Sequence, residues 1–171
     1  MKRPLERPMA SATVHARLKP DEVLVTGGYE IGNGRHQFTF IQPEPTTLDD
    51  GREAIFVKSR VLELDKEAIE SSGLTSLATN ARNTLQHAEA WVREDFESTL
   101  EQLHSENGVD AVLSPAVVTL PGRSFKIEMG SIDESNPSYA IDGRLVPAGS
   151  GRGFDIQTRI ERADPIADAA P

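Results

Sequence analysis

The sequence predicts an α+β domain, with a mostly antiparallel sheet of about six or seven strands packed against one helical block. Three observations carry this expectation. Apolar and β-branched runs bounded by Gly and Pro recur from Val23 to Leu64 and again from Asp110 to Arg162. Between them, from Lys66 to Asn107, the apolar residues fall at helical spacing. The chain has 171 residues, enough for one well-buried core, so residues 18–162 are expected to form a single domain. A flexible N-terminal segment, 1–17, and a flexible C-terminal tail, 163–171, are expected to flank it. The first holds scattered charges and prolines without periodicity, and the second, ADPIADAAP, is small and proline-rich.

Val23, Leu24 and Val25 suit a buried strand, and Phe38, Phe40 and Ile41 supply a second, so the stretch Gly27–Gly34 reads as a hairpin connection. Pro43 and Pro45 should stop the second strand, and Asp50-Gly51 favours a tight turn. AIFVKSRVLELD, residues 54–65, then reads as a long strand, apolar on one side at Ile55, Val57 and Val61. In the helical block, Val92, Phe96, Thr99, Leu100 and Leu103 line one stripe while Arg93, Glu94, Glu97 and Glu101 face water. Gly108 closes that helix. A weaker run, Leu77, Ala81, Leu85 and Ala88, predicts a helix before it. DAVLS, AVVTL and SFKIEM are three strands, the last two joined by a turn at Pro121-Gly122 in a meander or hairpin. After the polar loop SIDESNPS, the strands YAIDGRLVPA and FDIQTRIER pair through the Gly-rich GSGRG.

With 27 acidic against 18 basic side chains the net charge is -9, which repels phosphate backbones, so no nucleic-acid partner is expected. The chain has no Cys, which removes thiol catalysis, disulfides and Cys-based zinc sites. No apolar run approaches the ~18–20 residues of a membrane helix, so the sequence predicts a soluble chain without a transmembrane helix.

Gly27, Gly28, Gly32 and Gly34 follow an apolar run, as phosphate-cradling loops do. Such a loop needs a helix after it, whereas Gln37 to Ile41 are strand formers and no Lys-Ser or Lys-Thr pair is present, so a turn is expected. His15, His36, His87 and His104 show no metal-ligand spacing; His87 with Glu89 and His104 with Glu106 stand two apart, on different sides of a helix. Asp49 with Asp50 and Glu63 with Asp65 are the carboxylate pairs available for acid–base work, and an acidic turn and a strand end account for them more simply. Ser114 lacks a nucleophile elbow, and Ser71 and Ser72 precede a helix-terminating Gly73. Trp91 begins the apolar stripe and reads as a core residue. No enzyme is expected, and no catalytic, cofactor-binding or metal residue is assigned.

GVDAVLSPAVVTLPGRSFKIEMG, residues 108–130, resembles a segment of the bacterial secretins, the ring-forming outer-membrane channels of type II and III secretion and type IV pili. Leu113, Ser114, Pro115, Val118, Thr119, Ile127 and Gly130 fall on that family's pattern. FVKSRVLELD is similar to its acidic strand, with Glu63 at the second acidic position and Lys58 or Ser59 at the first. EVLVTGG followed by FTFIQPE also resembles secretin strands, although here these pieces come first, in rotated order, and the gated-barrel strands are missing. The resemblance implies a structural or assembly domain that mediates protein–protein or self association in a secretion-related envelope complex. It implies a periplasmic or outer-membrane place, whereas the chain taken as complete would be cytoplasmic. The alternative is a monomeric soluble binding or regulatory module whose loops, GYEIGNGR and GSGRG, do the recognition. A hydrolase built on Asp49, Asp50 or His104 is the third class.

Overall fold

In the computed structural model the described residues are 9–130, 136–148 and 153–165. Residues 131–135 of the polar loop, 149–152 of the Gly-rich connection, and the ends 1–8 and 166–171, expected to be flexible, lie outside them. The chain runs through β1 (Met9–Leu18), β2 (Glu22–Gly32), β3 (Arg35–Thr47) and β4 (Glu53–Leu64). Helix α1 (Lys66–Ser72), β5 (Asn83–Leu85), β6 (Ala88–Val92) and helix α2 (Arg93–His104) follow. The last strands are β7 (Val109–Leu113), β8 (Ala116–Thr119), β9 (Ser124–Gly130), β10 (Ser138–Pro147) and β11 (Phe154–Ala163).

These strands make two sheets. An outer sheet has the order β5-β1-β11-β10-β9, and a central sheet the order β6-β2-β3-β4, with β7 and β8 sharing the far side of β4. Every pairing is antiparallel except β1 with β5. The sheets enclose a core in which Val14, Leu18, Ile141 and Ile156 of the outer sheet meet Leu24, Ile41, Val57 and Val61 of the central one. The opposite face of the central sheet carries Val23, Val25, Phe38, Phe40, Leu62 and Leu64 into a second core. Phe96, Leu100 and Leu103 of α2, with Ala68 and Ile69 of α1, close it. Strands buried on both faces read as continuous apolar runs, which is why VLV and FTFI do not alternate.

The expected α+β class, one sheet on a helical block, is therefore corrected to a mostly β fold: two packed sheets and only two short helices among the described residues. The helical expectation fails between Gly73 and Trp91. Thr75, Ser76, Thr79, Asn80, Asn83 and Thr84 offer the backbone side-chain hydrogen bonds that compete with a helix. The Ala81 amide donates to Thr79 Oγ1 at 3.1 Å, and Asn83–Leu85 pair with β1 instead. Leu85, placed on a buried stripe by its spacing, is 75% exposed. Residues 9–17, expected to lie in a loose terminus, instead belong to an internal strand, Met9–Leu18, whose inward Ala10, Ala12, Val14 and Leu18 are buried. Pro43 and Pro45 do not stop β3, which continues opposite Val57 and Ile55 of β4. Pairing with β2 ends at Ile41, so beyond it β3 has a neighbour on one side only, where proline is tolerated. Nor do β8 and β9 pair with each other: the Pro121-Gly122 turn carries the chain from the central sheet to the outer one.

The Gly-rich stretch has two separate uses. Asn33 and Gly34 turn the β2–β3 hairpin at φ 55° and 71°, the doubly positive geometry that Asn-Gly supports. Gly28, at φ 75°, lets the segment after α1 cross β2: Thr79 N–H donates to Gly28 O at 2.9 Å, and a Cβ on Gly28 would lie 2.0 Å from Leu77 O. Gly28→Ala is expected to cost ~2 kcal/mol or more, through both strain and collision. Gly51→Ala, at φ 86° with no atom within 4 Å of the added Cβ, should cost only the strain, ~1 kcal/mol. Urea unfolding of the two variants measures the difference; equal losses would contradict the close approach.

Candidate functional site

Between the sheets, at one end of their shared core, sits a polar cluster. The inward alternation of β11, Phe154, Ile156, Thr158, Ile160, ends on Arg162, whose side chain is 8% exposed. Its Nη1 donates to Glu63 Oε1 of β4 at 2.7 Å and to Gln37 Oε1 of β3 at 3.0 Å, and its Nε to Asp164 at 2.8 Å. Tyr139 of β10 receives a hydrogen bond from Arg162 at 3.2 Å and donates to Glu63 at 3.3 Å, while Gln37 Nε2 donates to the Tyr29 hydroxyl at 2.7 Å. Arg82 also bonds Asp164. Two guanidinium groups thus match two carboxylates, and strands of both sheets share one network. Burial works against the charge of Arg162, but the hydrogen bonds to Asp164 and Glu63 outweigh it and hold its pKa above the ordinary value. Burial pushes the Tyr139 hydroxyl up to about 12 and that of Tyr29 higher still. At neutral pH neither phenol can serve as a base, and both carboxylates are bound by arginine. The arrangement is suited to clasping the sheets rather than to moving protons.

A cleft of about 260 Å³ lies between the start of α2 and the β3–β4 surface. Val23, Phe40, Phe96 and Leu100 give it an apolar floor, with the rings of Phe40 and Phe96 5.0 Å apart. Glu44 stands at its edge, 3.4 Å from Lys58 and 3.6 Å from Arg93. Arg60 and Ser114 also line it, and the buried Arg93 Nε has no hydrogen-bond partner. The helical stripe placed Arg93 in water; it is half-buried here because α2 begins directly over the sheet.

The residues singled out from sequence are scattered. Asp50 pairs with Arg52 in the β3–β4 turn, Glu63 belongs to the cluster, and Asp65 caps α1 by accepting from the Ala68 amide at 2.9 Å. Asp49 is exposed in the same turn. His15 lies on the open face of the outer sheet, His36 is on β3 with a buried Nδ1 lacking a partner, and His104 ends α2. His87 Nε2 is 2.6 Å from Leu77 O. Ser71 bonds Glu106, Ser72 bonds Ile69 O, and the Trp91 indole, on β6 rather than on the helix, donates to Glu89 at 2.9 Å. No group of three His, Asp or Glu is placed to hold a metal among the described residues. No helix among the described residues is long and apolar enough to cross a membrane.

The sheet edges differ in kind. β5 offers 3 residues, β6 runs straight into α2, and the β7–β8 edge is broken at Ser114-Pro115. β9 offers 7 unbroken residues and pairs only with β10 among the described residues. Sequence reasoning located β7, β8 and β9 but read β5 and β6 as helix, and it located no edge, because an edge depends on which strands pair. Comparison with protein-family models, with curated proteins and with solved structures found no match.

Both tyrosines of the chain lie in the cluster, so phenolate absorbance reads it directly. Raised pKa values mean that the folded state holds these protons more tightly than the unfolded one. The stabilisation from Tyr139 is therefore complete below the ordinary value of 10.0 and lost as pH rises through about 12. Phenolate is expected to appear only above the ordinary range and together with unfolding. A tyrosine titrating near 10.0 in the folded protein would contradict the clasp.

Proposed function

We propose that this chain is a structural assembly domain, which joins a protein partner or further copies of itself by adding strand to strand. The observation that carries the reading is β9, an unbroken edge of 7 residues paired on one side. Backbone N–H and C=O groups on such an edge recruit another chain unless something blocks them. Proline interrupts the neighbouring β7–β8 edge, and β5 is too short to template a partner. The secretin resemblance supports the same reading, since its residues from Leu113 to Gly130 run from β7 into β9. On that basis the assembly belongs to a secretion-related envelope complex. A monomeric binding module is the second reading, favoured by the apolar-floored cleft beside Arg93, which Arg60 also lines and could offer to an acidic ligand.

Light scattering coupled to size-exclusion chromatography, from low to high protein concentration at moderate salt, separates the two. Species heavier than one chain that dissociate on dilution are expected. A strict monomer throughout would leave the binding module as the better reading.

A further inference from the structure

The side chains of β9, SFKIEMG, alternate cleanly. Ser124, Lys126 and Glu128 point outward and are exposed, with Lys126 Nζ 2.7 Å from Glu128 Oε1. Phe125, Ile127 and Met129 point inward; Phe125 is buried, whereas Ile127 and Met129 are only half-covered. We propose that β9 pairs antiparallel with β9 of a second copy of this chain, about a two-fold axis at Ile127. The inference rests on the assembly reading and names the partner.

The register follows from symmetry. A two-fold axis normal to the sheet keeps outer faces together, so an outward residue must face an outward residue of the copy. Centring on Ile127 sets all 7 residues against the copy: Ser124 opposite Gly130, Phe125 opposite Met129, and Lys126 opposite Glu128 twice. Centring on Lys126 or on Glu128 places that charge against its own twin, which is repulsive. Centring on Phe125 or Met129 shrinks the overlap to Ser124–Lys126 or Glu128–Gly130. The one register that uses the whole edge is thus the one whose charges agree, while both neighbouring registers are penalised. The same register brings Ile127 onto its twin and Phe125 onto Met129, covering the half-exposed apolar side chains. The β9 charges sum to zero, so the edge itself adds nothing to the repulsion between two chains of net charge -9.

K126E and E128K test the pairing, because both side chains are more than half exposed and neither change reaches the core. Each variant alone faces like charge with like and is expected to dimerise on the order of tenfold more weakly than the wild type, or worse. An equimolar mixture of the two sets a two-acid strand against a two-lysine strand and should restore the dimer, which a merely structural role for the Lys126–Glu128 pair would not do. The double variant should self-associate again. Light scattering at fixed total concentration reads all five samples, the wild type included. Wild-type association unchanged by either substitution would overturn the β9 pairing and leave the assembly reading standing. A wild type that is monomeric at every concentration would overturn the β9 pairing and every other form of self-association with it, leaving only a different protein as the assembly partner.

Discussion

The central sheet is apolar on both faces, and the rest of the molecule is arranged by the need to cover each of them. Leu24, Ile41 and Val57 face one way and Val25, Phe40 and Leu62 the other, all of them buried. At ~25 cal/mol per Å² of apolar surface, neither face can be left wet. The outer sheet covers the first. Two short helices and the segment carrying Leu74 and Leu77 cover the second, which explains why so little helix is needed: it is a lid on half a sheet face. The outer sheet has only one face to bury, so its other face carries Thr13, His15, Arg144, Arg159 and Lys126 in the open. Its last strand ends the sandwich.

Inside this apolar frame the charged cluster around Arg162 is costly and must be complete. A buried guanidinium without its carboxylate would cost several kcal/mol, while the matched pair returns little net stability over an apolar replacement. Its value is geometric. Glu63, Gln37, Tyr139 and Arg162 come from four strands of two sheets and satisfy one another only when those sheets meet in a single register. The cluster therefore fixes how the outer sheet lies on the central one, and hence where β9 ends up.

Much of the strand content was legible. AIFVKSRVLEL, SFKIEMG and the final hairpin read as strands because their own residues carry β-branched runs and turn chemistry, and Phe96, Leu100 and Leu103 showed α2. β1 was hidden by small side chains: Ala10, Ala12, Val14, Ala16 and Leu18 alternate with the period of a strand, but alanine gives a weak apolar signal. The division into two sheets was illegible because it depends on β8 choosing β4 and β9 choosing β10, a tertiary outcome. The cluster left two readable marks: Glu63, singled out as a carboxylate though not as a partner of arginine, and Arg162, a charge standing in the inward series of β11. The cleft beside Arg93 left none, since the helical stripe assigns that residue to solvent.

If β9 is where the molecule joins its neighbours, its outward-facing amides change environment when they do. Hydrogen exchange of the residues Ser124–Gly130, followed as protein concentration rises, tests this most directly. Their exchange is expected to slow with concentration while that of β5, an edge too short to template a partner, stays constant. Exchange in β9 that does not vary with concentration under conditions where larger species form would place the contact elsewhere and contradict the edge-pairing claim.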